Sequence, residues 1–230
     1  MLFDLRSKRR RGTVRVIYLF LALVMVAGLV LVGVGTGTSG GGLLNAFTNG
    51  GSGGSQKTTI TSQIKSALKQ TEKNPNSATA WSGLLQARWA AAGTTGFDST
   101  TGTYTAVGKE QLKLAAQDWT RYLQLSRDKP NVDAATLAAR VYQFLSRWKQ
   151  AAATWEYAAL AQSGPAVNAL DQYFCMSLNS YAAGNTTEGQ LAQQKVSQLA
   201  PTLRKLELTT ELTAAKGSAT TAQQYVAQYC

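Results

Sequence analysis

Residues 16–34 run for nineteen positions without one charged side chain. As a helix rising about 1.5 Å per residue the run covers about 28 Å, close to the roughly 30 Å hydrocarbon core of a bilayer. Ahead of it, Arg6, Lys8, Arg9, Arg10, Arg11 and Arg15 oppose a single acid, Asp4. Cytoplasmic flanks of membrane spans carry this excess of basic residues. The expected topology is a basic cytoplasmic tip over 1–15, a single-pass transmembrane helix over 16–34, and everything downstream outside the cytoplasm. A cleaved signal peptide is the competing reading, but its apolar region is shorter, about 7–15 residues, and ends at an A-x-A-like site. Here the run enters Gly35-Thr36-Gly37-Thr38, which favours an uncleaved anchor in the cell membrane. Lys8–Arg11 in isolation would suggest nucleic acid. The span behind it makes it a membrane flank, and no nucleic-acid partner is expected.

The next segment, 35–56, is a Gly/Ser/Thr-rich linker with nine glycines in positions 35–54. Such sequence behaves as flexible coil with a reach of about 25 Å for some twenty residues. Its apolar insert Leu43-Leu44-Asn45-Ala46-Phe47 is either a contact element for a membrane partner or a patch resting on headgroups.

The chain has no histidine, which excludes Ser-His-Asp and Cys-His nucleophilic sites, HExxH zinc sites and c-type haem attachment. Three motif matches fail on context. Gly35-Thr36-Gly37-Thr38-Ser39-Gly40 spells GxGxxG, but it follows a membrane span and opens no helix. Gly102 and Gly108-Lys109 are separated by five residues, where a P-loop needs four, and Glu110 replaces Ser/Thr. Ser62-x-x-Lys65 and Ser66-x-x-Lys69 fall on an amphipathic helix without an accompanying S-D-N or K-T-G. No enzyme activity, cofactor, metal or small-molecule substrate is expected.

From Thr58 the apolar positions recur three and four apart, as in Ile60, Ile64, Ala67 and Leu68, or Leu137, Val141, Phe144, Leu145 and Trp148. With abundant Ala, Gln and Leu supporting helix, residues 57–230 read as an all-α domain. Pro75, Pro130, Pro165 and Pro201 are the only prolines, spaced 55, 35 and 36 residues apart. A residue that cannot continue a helix marks the boundaries of helix pairs, and a period in the mid-thirties signals stacked pairs. The insertion 93–108, with threonines around Gly102, predicts a small hairpin, either functional or a surface excursion.

These residues resemble the tetratricopeptide repeat, W-x₂-L-G-x₂-Y, A-x₃-F, P. Leu137, Val141, Phe144, Ala153, Tyr157 and Pro165 occupy the W, G, Y, A, F and P places of a middle unit, with Arg140 in the leucine place. Trp81 and Leu84 fit a first unit, from which Leu85 and Arg88 depart. Tyr181 fits a third, with Gly189 one residue out of register. The start Met1-Leu2-Phe3-Asp4-Leu5-Arg6, with the basic run, single span and glycine tether that follow, also resembles bacterial single-pass membrane-anchored proteins with such repeats, a likeness that covers most of the chain. The resemblance implies an α-solenoid of about three helix pairs, capped by 58–74 and 202–216 and ended by a short helix over 220–229. It also implies that an aromatic such as Phe144 packs over a small residue such as Ala153.

The same resemblance implies a concave groove lined by the first helix of each pair. In that register the facing residues are Ser82, Gln86 and Trp89, then Ala135, Ala138 and Tyr142, then Gln172, Cys175 and Asn179. This surface is largely neutral and lacks a clamp for acidic peptide ends, so a neutral polypeptide segment is its expected ligand, with Trp89 and Tyr142 as anchors. Cys175 and Cys230, the only cysteines, lie in an oxidising compartment if the topology holds. They either pair, bringing the terminal helix to the groove, or leave Cys175 buried and free. The leading function is a membrane-tethered protein-protein interaction scaffold acting on other proteins or exported polypeptides. The alternative is a structural or accessory subunit of a membrane-protein complex.

Overall fold

The computed structural model describes the backbone of residues 54–230 and the side chains from Thr59 onward; the basic tip, the apolar run and the linker through residue 53 lie outside the described residues. Among the described residues, no helix is long and apolar enough to cross a membrane.

The described part is all-α apart from one hairpin. Its helices are α1 (Gly54–Lys73), α2 (Ala78–Gly96), α3 (Ala106–Leu125), α4 (Val132–Phe144), α5 (Trp148–Leu160), α6 (Leu170–Ala182), α7 (Thr186–Leu199), α8 (Thr202–Gly217) and α9 (Ala219–Tyr229). The first begins at Gly54, inside the stretch read as linker. Glycine-rich composition disfavours helix without forbidding it, and the downstream stripe from Ile60 extends α1 backward by propagation, which is easier than nucleation.

Local chemistry sets the boundaries. All four prolines fall between helices. Ser77, Thr105, Asn131, Asn185 and Ser218 precede α2, α3, α4, α7 and α9, and each side chain accepts a backbone N–H from the first turn, as in Ala134 N to Asn131 Oδ1 at 2.7 Å. Such caps satisfy donors that a helix end leaves without a partner. Pro165 leads into a short 3₁₀ turn, Ala166–Ala169, which feeds α6. The three-residue turns after α4 and α6 each place their middle residue in the left-handed region, Ser146 at φ 55° and Gly184 at φ 74°.

Sequential helices pack as neighbours, α2 with α3, α4 with α5, α5 with α6 and α6 with α7, while α8 and α9 both return onto α6. One core cluster joins Leu85, Leu112, Trp119, Val141 and Trp155. A second gathers Leu178, Tyr181, Val196, Leu208, Leu212 and Val226 around α6. The aromatic-over-small packing expected at Phe144 and Ala153 is not there, since Phe144 is 47% exposed and Ala153 is exposed. The alanines buried on α5 are Ala151, Ala152, Ala158 and Ala159, because a stripe of similar alanines gives no volume cue to its register. The arrangement occurs instead at Gly189 of α7, where an added Cβ would meet the Tyr181 ring at 2.4 Å.

The insertion forms the hairpin β1 (Phe97–Asp98) and β2 (Thr103–Tyr104), antiparallel with Phe97 opposite Tyr104. Asp98 Oδ1 accepts the backbone N–H of Thr100 at 2.9 Å, which holds its carboxyl below the usual range. Gly102 takes the positive φ that the turn requires. Beneath the hairpin α2 and α3 come together with only glycine between them, Gly96 against Gly108.

Candidate functional site

The exposed stripe of α4 is set by what its other faces bury. Ala134, Ala135, Ala138, Ala139 and Val141 are fully buried, which turns Asp133, Thr136, Leu137 and Arg140 outward. Two cavities open along this stripe. One, of about 300 Å³, is lined by Trp89 of α2, by Leu137, Thr136 and Arg140 of α4 and by Gln172 of α6. The other, of about 410 Å³, shares Thr136, Arg140 and Gln172 with it and continues to Trp155, Glu207, Glu211 and the disulfide. The shared residues join them into one groove across α2, α4 and α6.

The residues expected to line the groove are divided by the structure. Trp89, Gln172 and Cys175 do line it. Gln86 is half-buried and lines neither cavity. Ser82, Tyr142 and Asn179 are corrections. They are 8%, 8% and 0% exposed, so they belong to the interior and Tyr142 is no anchor. Asn179 donates its Nδ2 proton to the Cys175 carbonyl at 2.7 Å. On α4 the expected face, Ala135, Ala138 and Tyr142, is the buried one, about half a turn from the outward stripe: helical periodicity gives a broad apolar face, and alanine suits core and surface alike. The expected neutrality is corrected as well. Arg140, Arg204, Asp133, Asp171, Glu207 and Glu211 all line the two cavities, several of them from α8, which the sequence reading treated only as a cap.

Cys175 and Cys230 form a disulfide with Cα atoms 5.7 Å apart. It brings the end of α9 into the groove, where Arg140 Nε donates to the main-chain oxygen of Cys230 at 3.0 Å. Tyr229 stacks edge-on against Phe174, ring centroids 5.8 Å apart, and donates its hydroxyl to Glu211 at 2.6 Å. That bond to a carboxylate opposes loss of the phenolic proton and pushes Tyr229 up to about 12.

The hairpin reaches the other end of the groove. Phe97 meets Tyr104 with centroids 5.1 Å apart, Tyr104 meets Phe144 at 4.9 Å, and Phe144 meets Trp89 at 5.7 Å. Edge-on and tilted contacts at these separations are favourable for aromatic quadrupoles. Sequence reasoning missed this ladder by assigning Phe144 to the core. The available signal was the aromatic pair Phe97 and Tyr104 flanking a turn.

Among the described residues one ion pair is buried, Arg88 Nε of α2 and Asp118 Oδ2 of α3 at 2.7 Å, with side chains 12% and 6% exposed. Burial raises the Asp118 carboxyl to about 6, against the opposing pull of the guanidinium. No group of three or more potential metal-ligating residues gathers among the described residues. The chain matches no family model, no curated protein and no solved structure.

Proposed function

We propose that this protein is a membrane-tethered interaction scaffold of tetratricopeptide-repeat type, which holds polypeptide segments outside the cytoplasm. The observation that carries the reading is the groove shared by α2, α4 and α6, in which Trp89 and Leu137 offer apolar contact and Arg140 holds the main-chain oxygen of this chain's own Cys230. Helix pairs bounded by prolines, and the Tyr181 ring over Gly189, support the repeat reading. The basic tip and apolar run of residues 1–34 support the tether.

A photocrosslinking amino acid at Thr136 in native membranes tests the groove. The expected result is adducts with polypeptides, absent when the probe is placed at exposed Glu156 on α5. Equal labelling from both positions rejects the reading. Topology is tested on sealed cells: external protease is expected to cleave the 57–230 domain, and its protection while an external control is digested rejects the extracytoplasmic placement.

An accessory subunit of a membrane complex is the second reading, favoured by α8. Leu203 is 96% exposed and Leu206 77% exposed, one turn apart. Apolar side chains so placed suit a flat contact with another subunit. A stoichiometric, detergent-stable partner lost on Leu203→Glu would favour it.

A further inference from the structure

We infer that the outer face of α8 lies on an anionic lipid surface, an inference that rests on the membrane tether proposed above. Helix α8 packs into the domain through Leu208, Leu212 and Ala215, spaced four and three apart and all buried. At about 100° per residue, Leu203, Leu206, Thr210 and Thr213 form a second stripe on the opposite side of the same helix. Leu203 is 96% and Leu206 77% exposed, and both threonines are exposed as well. An exposed threonine ordinarily offers its hydroxyl to water. Here the Thr210 hydroxyl donates to the Leu206 carbonyl and the Thr213 hydroxyl to the Thr209 carbonyl, each at 2.7 Å. With those protons bonded within the helix, the stripe can leave water without stranding a donor.

The charges of α8 sort by flank. Lys205 and Lys216 are exposed on the side shared with α7, and neither forms an ion pair among the described residues. Glu207 and Glu211 turn to the other side, where they line the larger groove cavity with Arg204. An apolar stripe with unpaired lysines beside it suits a bilayer interface: the leucines enter the headgroup–acyl boundary while the lysine stems carry their ammonium groups to lipid phosphates. A partner subunit, the second reading above, would need no such flank. Residues 35–53 alone separate the apolar run from α1, and Gly/Ser/Thr-rich sequence of that length reaches about 25 Å. Two leucines would not hold a free protein on a membrane. On a tethered one they act at an effective concentration on the order of millimolar, so a weak affinity suffices.

The test is the full chain reconstituted into vesicles of phosphatidylcholine and phosphatidylglycerol, carrying a solvatochromic fluorescent amino acid at Thr210 or, as a control, at exposed Glu156 of α5. The expected result is blue-shifted emission at 210 that nitroxide-labelled lipid quenches, with neither change at 156. Leu203→Ser/Leu206→Ser, which removes two exposed side chains, is expected to lower the docked-to-free ratio about a hundredfold, the worth of two leucines returned to water. Lys205→Gln should lower it about fivefold, and phosphatidylcholine alone by more, since each cation near an anionic surface contributes separately. Lipid quenching that is equal at 210 and 156, or unchanged by the double serine variant, overturns the inference and leaves the anchor standing. Shielding of 210 from aqueous iodide without lipid quenching assigns the face to a second copy of the chain and overturns it too. Release of the unaltered chain from the vesicles by alkaline carbonate defeats the anchor itself, and this inference with it.

Discussion

Gly96→Ala is expected to lower the melting temperature by about 10 °C, the consequence of about 3–4 kcal/mol of lost stability in a domain of this size. An alanine Cβ there would lie 2.2 Å from Gly108 Cα and 2.4 Å from Gly108 N. Both are backbone atoms of α3, so no side-chain rotation relieves the clash and the two helices must separate. The separation also pulls on the Gly96 carbonyl, which accepts from Thr105 N at 2.8 Å and fixes the hairpin's return into α3. Gly83, in the same helix, is exposed and has open space where a Cβ would go. Gly83→Ala should therefore stabilise by about 0.5–1 kcal/mol through helix propensity. Thermal melts followed by circular dichroism distinguish the two, and similar melting temperatures for both variants would refute the close-approach argument.

Arg88→Met should cost about 3–5 kcal/mol at neutral pH, because it strands the Asp118 carboxylate in the interior. The double variant Arg88→Met/Asp118→Leu should recover most of that loss, since well-packed apolar residues often replace a buried pair at little cost. Denaturant unfolding of the four-member cycle measures it, and simple additivity of the two single losses would contradict the pairing. The pH dependence follows from the direction of the shift. Burial raises the Asp118 carboxyl from 3.8 to about 6, so folding favours its protonated form. Its contribution is fully present below about pH 4 and is lost as pH rises through 6, on the order of 2–3 kcal/mol. Asp118→Asn should flatten the stability profile across that window.

The segmentation of the helical domain was legible because it rests on residues with local, single-valued effects. Pro130 and Pro201 stop helices wherever they stand, and Asn131 or Asn185 caps whatever follows. The hairpin was equally local, with Gly102 at a turn only glycine adopts easily. The facing of α4 was not legible, since alanine is compatible with core and surface alike and four alanines in six positions blur the stripe. Asn179 illustrates a different limit: a buried polar side chain whose amide nitrogen bonds its own helix's carbonyl looks, in sequence, like a groove residue. The charge of the groove was hidden for a third reason. Glu207 and Glu211 reach it by the return of α8 onto α6, a contact between segments more than thirty residues apart that periodicity does not encode.

The bond between Cys175 and Cys230 also alters how the domain bears tension. A pull applied at Cys230 enters the rest of the fold at Cys175, so the load bypasses α7, α8 and α9, which hang within a closed ring. A cut by a protease in the turn between α6 and α7 would leave both pieces covalently attached. The ring therefore gives mechanical and proteolytic shelter to the three helices that build the second core around α6, and leaves the α2–α4 portion of the groove as the part exposed to strain from a tethered load.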